Sequence, residues 1–447
     1  MTPEPYKTKV CQRIRLPSPE EREAALRAAG YNTFLIPSDL TYIDLVSDSG
    51  TSAMSDTQWA AMLTADEAFC GQRSYQDVCE TARNVFGYDH VVLVHQGRAA
   101  EHLLFELLVK EGGLVPSNGL FDTTRTNIEA RGAVPLDLPC SEAERWDKPS
   151  PFRGNIDLDR ISDLVAGPER SKIPLVMVSV TTNRSGGQPV SLANLRALGE
   201  ILRPAGIPLF FDACRFAENA YLIQQRESDR GDRSIQEIVR EMFSLGSGCF
   251  FSAKKDGLSN TGGLIAVRDG ELAQRLEELV ILWEGFPSHG GVASRDLAAI
   301  SVGLHDVLDE IYLRYRVEQV ERLGRAIASA GIPVVDPMGG HAVCIRAEEC
   351  LLHLGPEKYP AFALAAEVYR SGGVRGAATG GLLSGATPSP PALYKLSVPR
   401  RVYSDSHLEY AAHTVERVVA RSSSVKGLVL KSEPGSLKHF TSRFDRT

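Results

Sequence analysis

No apolar run in the 447-residue chain approaches the roughly 18 residues that a membrane span requires. The opening stretch MTPEPYKTKVCQRIRLP has no apolar h-region, which argues against secretion. Eight cysteines are scattered singly, without a CxxC pair or metal-like spacing. They read as reduced cytosolic thiols and not as a disulfide frame. No GxGxxG turn opens the first strand–helix unit and no P-loop occurs, which disfavours dinucleotide and P-loop nucleotide enzymes. Positive charge is in deficit: 49 Lys and Arg against 56 Asp and Glu leave a net charge of -7. Nucleic-acid scaffolds are usually basic, so that class is disfavoured.

What is present is ordinary globular composition, 43% apolar and 23% charged. The length is about three times a usual domain of roughly 150 residues, which predicts two lobes. Apolar runs over Val91–Val94, Pro174–Val180, Pro208–Asp212, Cys249–Ala253 and Leu264–Val267 predict strands. Helical spacing follows several of them, as in SLANLRALGEILRPAG with Leu192, Leu195, Leu198 and Ile201. Such alternation predicts an α/β fold with a mainly parallel sheet. A cap-like Ser18 predicts a helix to Ala29, and a long helical pattern covers Asp306–Ala330. Beyond it, short strands (Pro333–Asp336, Ala342–Ile345, Lys395–Val398) and helices (Ala361–Arg370, His407–Ala420) predict a smaller α+β lobe. Gly380–Pro391 reads as a surface loop. The chain is expected to be a cytoplasmic enzyme with no membrane or nucleic-acid partner.

Three strand ends carry candidate chemistry. His95-Gln96-Gly97-Arg98 sits where a strand gives way to a helix, whose free N–H groups suit an anion such as phosphate. An ordinary strand-to-helix turn is the plainer reading. Asp212 ends an apolar strand and Arg215 follows, at the sheet edge where open α/β folds bind ligands. Helix capping is its plainer role. Ser252-Ala253-Lys254-Lys255 follows the next strand, where an adjacent cation lowers a lysine pKa and frees the amine. Two solvated lysines are the alternative. Taken together, a phosphate cradle, a carboxylate and a lysine match what pyridoxal phosphate requires: a Schiff-base amine and an anion for the pyridinium nitrogen. Phe121 is placed to stack on the ring, or to fill a core.

These segments resemble the tryptophanase and tyrosine phenol-lyase family. The resemblance runs from AAGYNTFLIPSDLTYIDLVSDSGTSAMSD through HQGRAAE, FDTTR, TTNRSGGQPVSLANL, DACRFAENAY, FSAKKDGLSNTGG, EGFPSHGG, GGHAV and VPRRVYS to EPGSLKHFTSRF. It implies an aminotransferase-like (fold type I) large domain over residues 51–305, a small domain over 306–447, and an N-terminal segment, 1–50, packed on the small domain and a dimer partner. It also implies a homotetramer built as a dimer of dimers. By position, Lys255 is the Schiff-base lysine and α-proton base, Asp212 pairs with the ring nitrogen and Arg215 lies beside it. Gln96, Gly97, Arg98, Ser252 and Lys254 hold the phosphate, and Phe121 stacks on the ring. Asn183 and Ser49 face the cofactor oxygen and the substrate carboxylate. Gly50, Glu67 and Asn260 match the family's monovalent-cation site, which suggests bound potassium.

The departures are as informative. Phe69, in Asp66-Glu67-Ala68-Phe69-Cys70-Gly71, stands where the family keeps a tyrosine that protonates the leaving ring. Lys395 stands where the family has the arginine that grips the substrate carboxylate; it keeps the charge and loses the fork, unless Arg400 or Arg401 substitutes. Thr379 replaces the arginine near the phenol hydroxyl in the tyrosine-cleaving branch. His439-Phe440-Thr441 and the FDTT segment look more like the tryptophanase branch. His289 replaces a family aromatic and is either a substitute acid or a hydrogen-bonded interface residue. The expected activity is β-elimination or related carbon–carbon or carbon–heteroatom cleavage of an amino acid, through an aldimine and a quinonoid, on a specialised substrate and not tyrosine. Two alternatives stand beside it. One is the same cofactor used for β-substitution, transamination, retro-aldol cleavage or decarboxylation. The other is an inactive homologue.

Overall fold

A computed structural model of the chain describes residues 2–143, 145–146, 150–228, 232–382, 391–432, 435 and 437–447. Most of the stretch read as a surface loop, residues 383–390, lies outside them. The chain divides into two compact units, Ser49–Arg314 and Met1–Asp48 with Tyr315–Thr447. Among the described residues no helix is long and apolar enough to cross a membrane.

Ser49–Arg314 is built on seven strands, numbered here within this unit: β1 (His90–Val94), β2 (Leu114–Ser117), β3 (Val134–Asp137), β4 (Val176–Ser179), β5 (Leu209–Asp212), β6 (Gly248–Ser252) and β7 (Gly263–Val267). Their order is β1-β7-β6-β5-β4-β2-β3. The ladders from β3 to β6 are parallel, and β7 is antiparallel to both neighbours. Ten helices of the unit follow the same numbering: α1 (Asp56–Thr64), α2 (Arg73–Phe86), α3 (Gly97–Leu108), α4 (Asp122–Glu129), α5 (Leu158–Ala166), α6 (Leu192–Ala205), α7 (Phe216–Arg226), α8 (Ile235–Ser244), α9 (Gly270–Trp283) and α10 (Ser294–Asp306).

The strands read as unbroken apolar runs because both faces of the sheet are covered. Phe210 and Phe250 point into one core with Val92, Leu103 and Ile265. Their neighbours Phe211 and Phe251 point the other way, against Phe243 at 5.3 Å and Phe216 at 5.9 Å. Each such phenylalanine contributes about 1.5–3 kcal/mol on burial. Helix α6 starts at Ser191, whose hydroxyl accepts the Asn194 N–H at 3.0 Å, and stops at Gly206 in the left-handed region. Its buried stripe is Leu192, Leu195, Leu198 and Leu202. Ile201, expected in that stripe, is only half-buried.

The other unit holds a three-stranded antiparallel sheet, Ala377–Thr379, Leu393–Ser397 and Ala342–Arg346 in that order. Val343, Ile345, Ala378, Tyr394 and Leu396 enter its core with Phe362, Leu364 and Val368. Alternation puts Thr379 and Lys395 on the opposite face. Ser18 forms a full capping box for helix Pro19–Ala28. The strand expected over Pro333–Asp336 is reduced to a single bridge, Val334 with Ile345. Pro333 has no N–H, and Pro337 follows directly, so the ladder cannot extend. The long helix runs Glu310–Ser329, and the unit boundary falls inside it.

Candidate active site

The carboxyl ends of β1, β5 and β6 converge. Gln96 bridges Gly262, and the Gly262 N–H donates to the His95 carbonyl at 2.9 Å. The His95 N–H donates to Glu284 Oε2 at 3.0 Å, and its ring bonds the same carboxylate. Helix α3 therefore begins at a fixed place. A Cβ on Gly97 would lie 2.6 Å from Ser252 Cβ, so only glycine lets the helix start approach the end of β6. No side chain caps that helix start, which leaves a polar N-terminus facing the end of β6.

Arg98, Lys254 and Lys255 have no carboxylate within ion-pair reach among the described residues. Burial, then the neighbouring Lys255 and Arg98 charges, hold the Lys254 ammonium below the usual lysine range. Cations gathered without a protein anion, beside uncapped helix amides, are the donor set a phosphate needs. Lys254 is anchored by its carbonyl, which accepts the Gly50 N–H at 2.6 Å. Gly50 has φ 73°, and a Cβ there would meet Lys254 Cε at 2.6 Å.

Asp212 and Lys255 meet at Cys214. The Cys214 N–H donates to Asp212 Oδ1 at 3.0 Å, and Lys255 Nζ lies 3.9 Å from Cys214 Sγ. Asp212 has no basic partner among the described residues, so its carboxylate is available to a cationic ring nitrogen. Burial and the Asp212 charge push the Cys214 thiol up. Asp256 pins the lysine loop: its N–H donates to the Cys214 carbonyl at 3.3 Å and its Oδ2 accepts the Ala217 N–H at 2.8 Å. Arg215 is buried, and its N–H donates to the Val180 carbonyl at 3.3 Å. These residues fit pyridoxal phosphate in both halves, anion cradle and ring end.

Phe121 is the N-cap of α4. The preceding Leu120 N–H donates to Asp137 Oδ1 at 3.1 Å. Buried Asp137 also pairs with Arg125 and, at 3.1 Å, with Arg184, the residue after Asn183. One carboxylate thus sets both loops that carry Phe121 and Asn183. Sequence reasoning missed Asp137, Arg125 and Arg184, and it missed Glu101, a buried carboxyl whose hydroxyl donors are Thr123 and Thr124. Glu101 did carry a signal: it is the one charged residue between Ala100 and Leu103–Leu104 on the buried stripe of α3.

Around this centre, Asn260 Nδ2 donates to the Gly50 carbonyl at 3.0 Å and to Ser52 at 3.3 Å, which ties the Ser49–Gly50 segment to the lysine loop. Glu67, more than half exposed, faces Arg295 at 3.9 Å. Among the described residues no group of three or more His, Cys, Asp or Glu could hold a metal. Asp66 accepts the Arg73 and Ser74 N–H groups at 2.6 and 3.1 Å, which fixes the loop bearing Phe69. Phe69 is 74% exposed, with its ring 5.3 Å from Phe286 and 5.9 Å from His289. His289 Nδ1 accepts the Gly291 N–H at 3.0 Å, so the neutral ring carries its proton on Nε2.

In the other unit, Lys395 lies beside Cys344, its register partner. Thr379 Oγ1 donates to the Leu393 carbonyl at 3.3 Å. His439 is buried and stacks on Phe440, with centroids 3.7 Å apart. Arg400 is wholly buried and pairs with Asp48 at 2.9 Å, so it is not a spare cation for a carboxylate ligand.

Comparison with known proteins places the chain in a family. The family model for β-eliminating lyases matches residues 44–414. A tryptophanase of Hyphomonas neptunium is 45% identical over 449 residues, covering 99% of both chains. A tryptophanase of Salinibacter ruber is 46% identical, covering 98% of this chain and 94% of its own. A tyrosine phenol-lyase of Intrasporangium calvum is 45% identical, covering 99% and 95%. Among solved structures, a chain of the SepCysS–SepCysE N-terminal domain complex superposes with a TM-score of 0.57 at 12% identity, covering 85% of this chain and 95% of its own. That last likeness speaks to the fold alone.

Proposed function

The chain belongs to the β-eliminating lyase family and is a pyridoxal-phosphate-dependent carbon–carbon lyase of the tryptophanase type, and from that premise we propose that its own substrate is an amino acid with a good β-leaving group, not tyrosine. The observation that carries this reading is Phe69. Its ring sits among Phe286 and His289 and has no proton to give to a departing carbon. A leaving group that departs as a stable anion needs no such donor.

The bound cofactor supplies an electron sink for the substrate α-carbon. The chain supplies the rest. Gln96, Gly97, Arg98, Ser252 and Lys254 hold the phosphate end. Asp212 would pair with the ring nitrogen and favour its protonated form, with Arg215 near it, and Phe121 would cover the ring. Asn183 would orient the ring oxygen and Ser49 would meet the substrate carboxylate, while Lys395, in the other unit, is a separate candidate cation for that carboxylate. Lys255 Nζ would anchor the cofactor and, once released, carry the α-proton, with the Lys254 charge beside it favouring the free amine. Thr379 and His439, in the other unit, are candidate substrate contacts. His289 offers Nε2–H, the one proton donor within the Phe69 cluster. Gly50 and Asn260 supply oxygens for potassium, with Glu67 exchanging Arg295 for the ion; equal activity in sodium and potassium would remove that part. Exposed Leu282, Trp283 and Phe286 support association of copies of the chain into a homo-oligomer, and a monomer by light scattering would remove that.

The test is product analysis. The cofactor-loaded chain is offered O-acylserines, S-alkylcysteines, β-chloroalanine, tryptophan and tyrosine, and pyruvate and ammonia are followed. We expect kcat/KM for the activated substrates to exceed that for tyrosine by about a hundredfold, the lower range of a missing general acid. Loss of all turnover in Lys255→Ala is expected as well. Comparable rates on tyrosine, or a keto acid that retains the β-substituent, would overturn the reading.

A further inference from the structure

Glu101 lies one turn into α3, past the glycine and arginine of the anion cradle, and is 4% exposed. Both of its oxygens are engaged. Oε2 accepts from Thr123 Oγ1 at 2.8 Å and Oε1 from Thr124 Oγ1 at 2.8 Å, with Asn127 Nδ2 at 3.5 Å from Oε2. All three donors stand in the first turns of α4, whose N-cap is Phe121. One side chain on the phosphate helix therefore holds the turn that presents the ring-stacking residue.

A tie of that kind needs no charge, and an amide or a hydroxyl would serve. A buried carboxyl without a cationic partner is costly, and this one is placed beside a second. The charged groups that act on it are Asp212 at the end of β5 and Lys255 beyond β6; from α4 it meets only the neutral Thr123, Thr124 and Asn127. Burial first, and the Asp212 charge second, push its carboxyl up to about 7. The ring nitrogen and the Lys255 nitrogen are the positive groups that two such carboxylates would face.

We infer that Glu101 is a positioning residue for the cofactor ring: it locks the Phe121 turn to the phosphate helix and places, behind Asp212, a second negative charge that the ring and Lys255 feel. This rests on the cofactor assignment and is independent of which substrate is cleaved.

The experiment follows the visible absorbance of the cofactor-loaded chain against pH for wild type, Glu101→Gln and Glu101→Asp. Removing an anion destabilises the cationic state of the Lys255-linked chromophore, so Glu101→Gln is expected to lower the midpoint by about one pH unit. The two curves should draw together toward acid pH, where the native carboxyl takes up its proton, and part on the alkaline side. Glu101→Asp keeps the charge and is expected to restore the midpoint. A Glu101→Gln titration that overlays wild type, with only the melting temperature lowered, would overturn the inference and leave a structural tie. Should Glu101→Gln fail to fold, Thr123→Val with Thr124→Val removes the tie and, with it, two hydroxyls that favour the ionised carboxyl. It is expected to weaken cofactor binding about tenfold and to move the midpoint in the same direction as Glu101→Gln, and unchanged binding would overturn the positioning role. Absence of pyruvate from every substrate would fail the substrate reading and leave these spectra interpretable.

Discussion

Breaking the Asp48–Arg400 pair should unfold the unit formed by Met1–Asp48 and Tyr315–Thr447 well before it alters catalysis. The side chains are 2% and 0% exposed and lie 2.9 Å apart, and the same guanidinium also donates to the Asp48 carbonyl at 3.3 Å. Asp48→Asn takes the carboxylate away from a buried guanidinium, a change that costs about 3–5 kcal/mol for buried pairs. A unit of this size loses about 2–4 °C of melting temperature per kcal/mol. The expected fall in the first thermal transition is therefore about 6–20 °C. Replacing both partners by apolar residues of similar shape, Asp48→Leu with Arg400→Met, should recover most of that loss, because the doubly apolar site has no charge to strand. The assay is scanning calorimetry on the two single variants and the double variant, with KM measured below the transition. If Arg400 instead grips the substrate carboxylate, Arg400→Met would raise KM steeply with little change in melting, and the double variant would be no better than the single. That result would refute the assignment of the carboxylate to Lys395.

Three further outcomes follow from the geometry. Gly97→Ala pushes a methyl to 2.6 Å from Ser252 Cβ, a strand atom that cannot swing away; the cofactor-free chain should lose about 1–3 kcal/mol to overpacking, and equilibrium titration should show cofactor affinity falling at least about tenfold, since the helix start and the end of β6 are forced apart. Phe69→Tyr restores a phenol beside Phe286 and should raise the rate on tryptophan by about tenfold or more, leaving β-chloroalanine unchanged; equal gains on both substrates would refute the acid argument. In the cofactor-free chain Glu101 holds its proton to about 7 when folded, against 4.5 when unfolded. The folded state binds the extra proton, so stability should fall as pH rises from 4.5 to about 7, and calorimetry should find that slope absent in Glu101→Gln.

The sheet is legible in the sequence because its central strands are buried on both faces. Leu-Phe-Phe-Asp and Gly-Cys-Phe-Phe-Ser are apolar runs closed by a polar residue, and that polar residue marks the strand end where ligands bind. Asp212 and Lys255 therefore stand out as strand-end residues from the order of amino acids alone. Strands β2 and β3 do not: Leu-Val-Pro-Ser and Val-Pro-Leu-Asp each contain a proline, and β3 is an edge strand that tolerates it. The segment Pro333–Asp336 errs in the other direction, since its apolar composition suggests a strand while its prolines limit the ladder to one bridge. What no linear pattern can show is the layer behind the site. Asp137 serves Leu120, Arg125 and Arg184 from two separate stretches of chain, and Glu101 reaches across to two threonines more than twenty residues away. Such contacts have no local period, so a charged residue on a buried stripe is their only trace in the sequence. It follows that the residues touching the cofactor can be read from strand ends, whereas those that set its electrostatics have to be sought where burial and charge conflict.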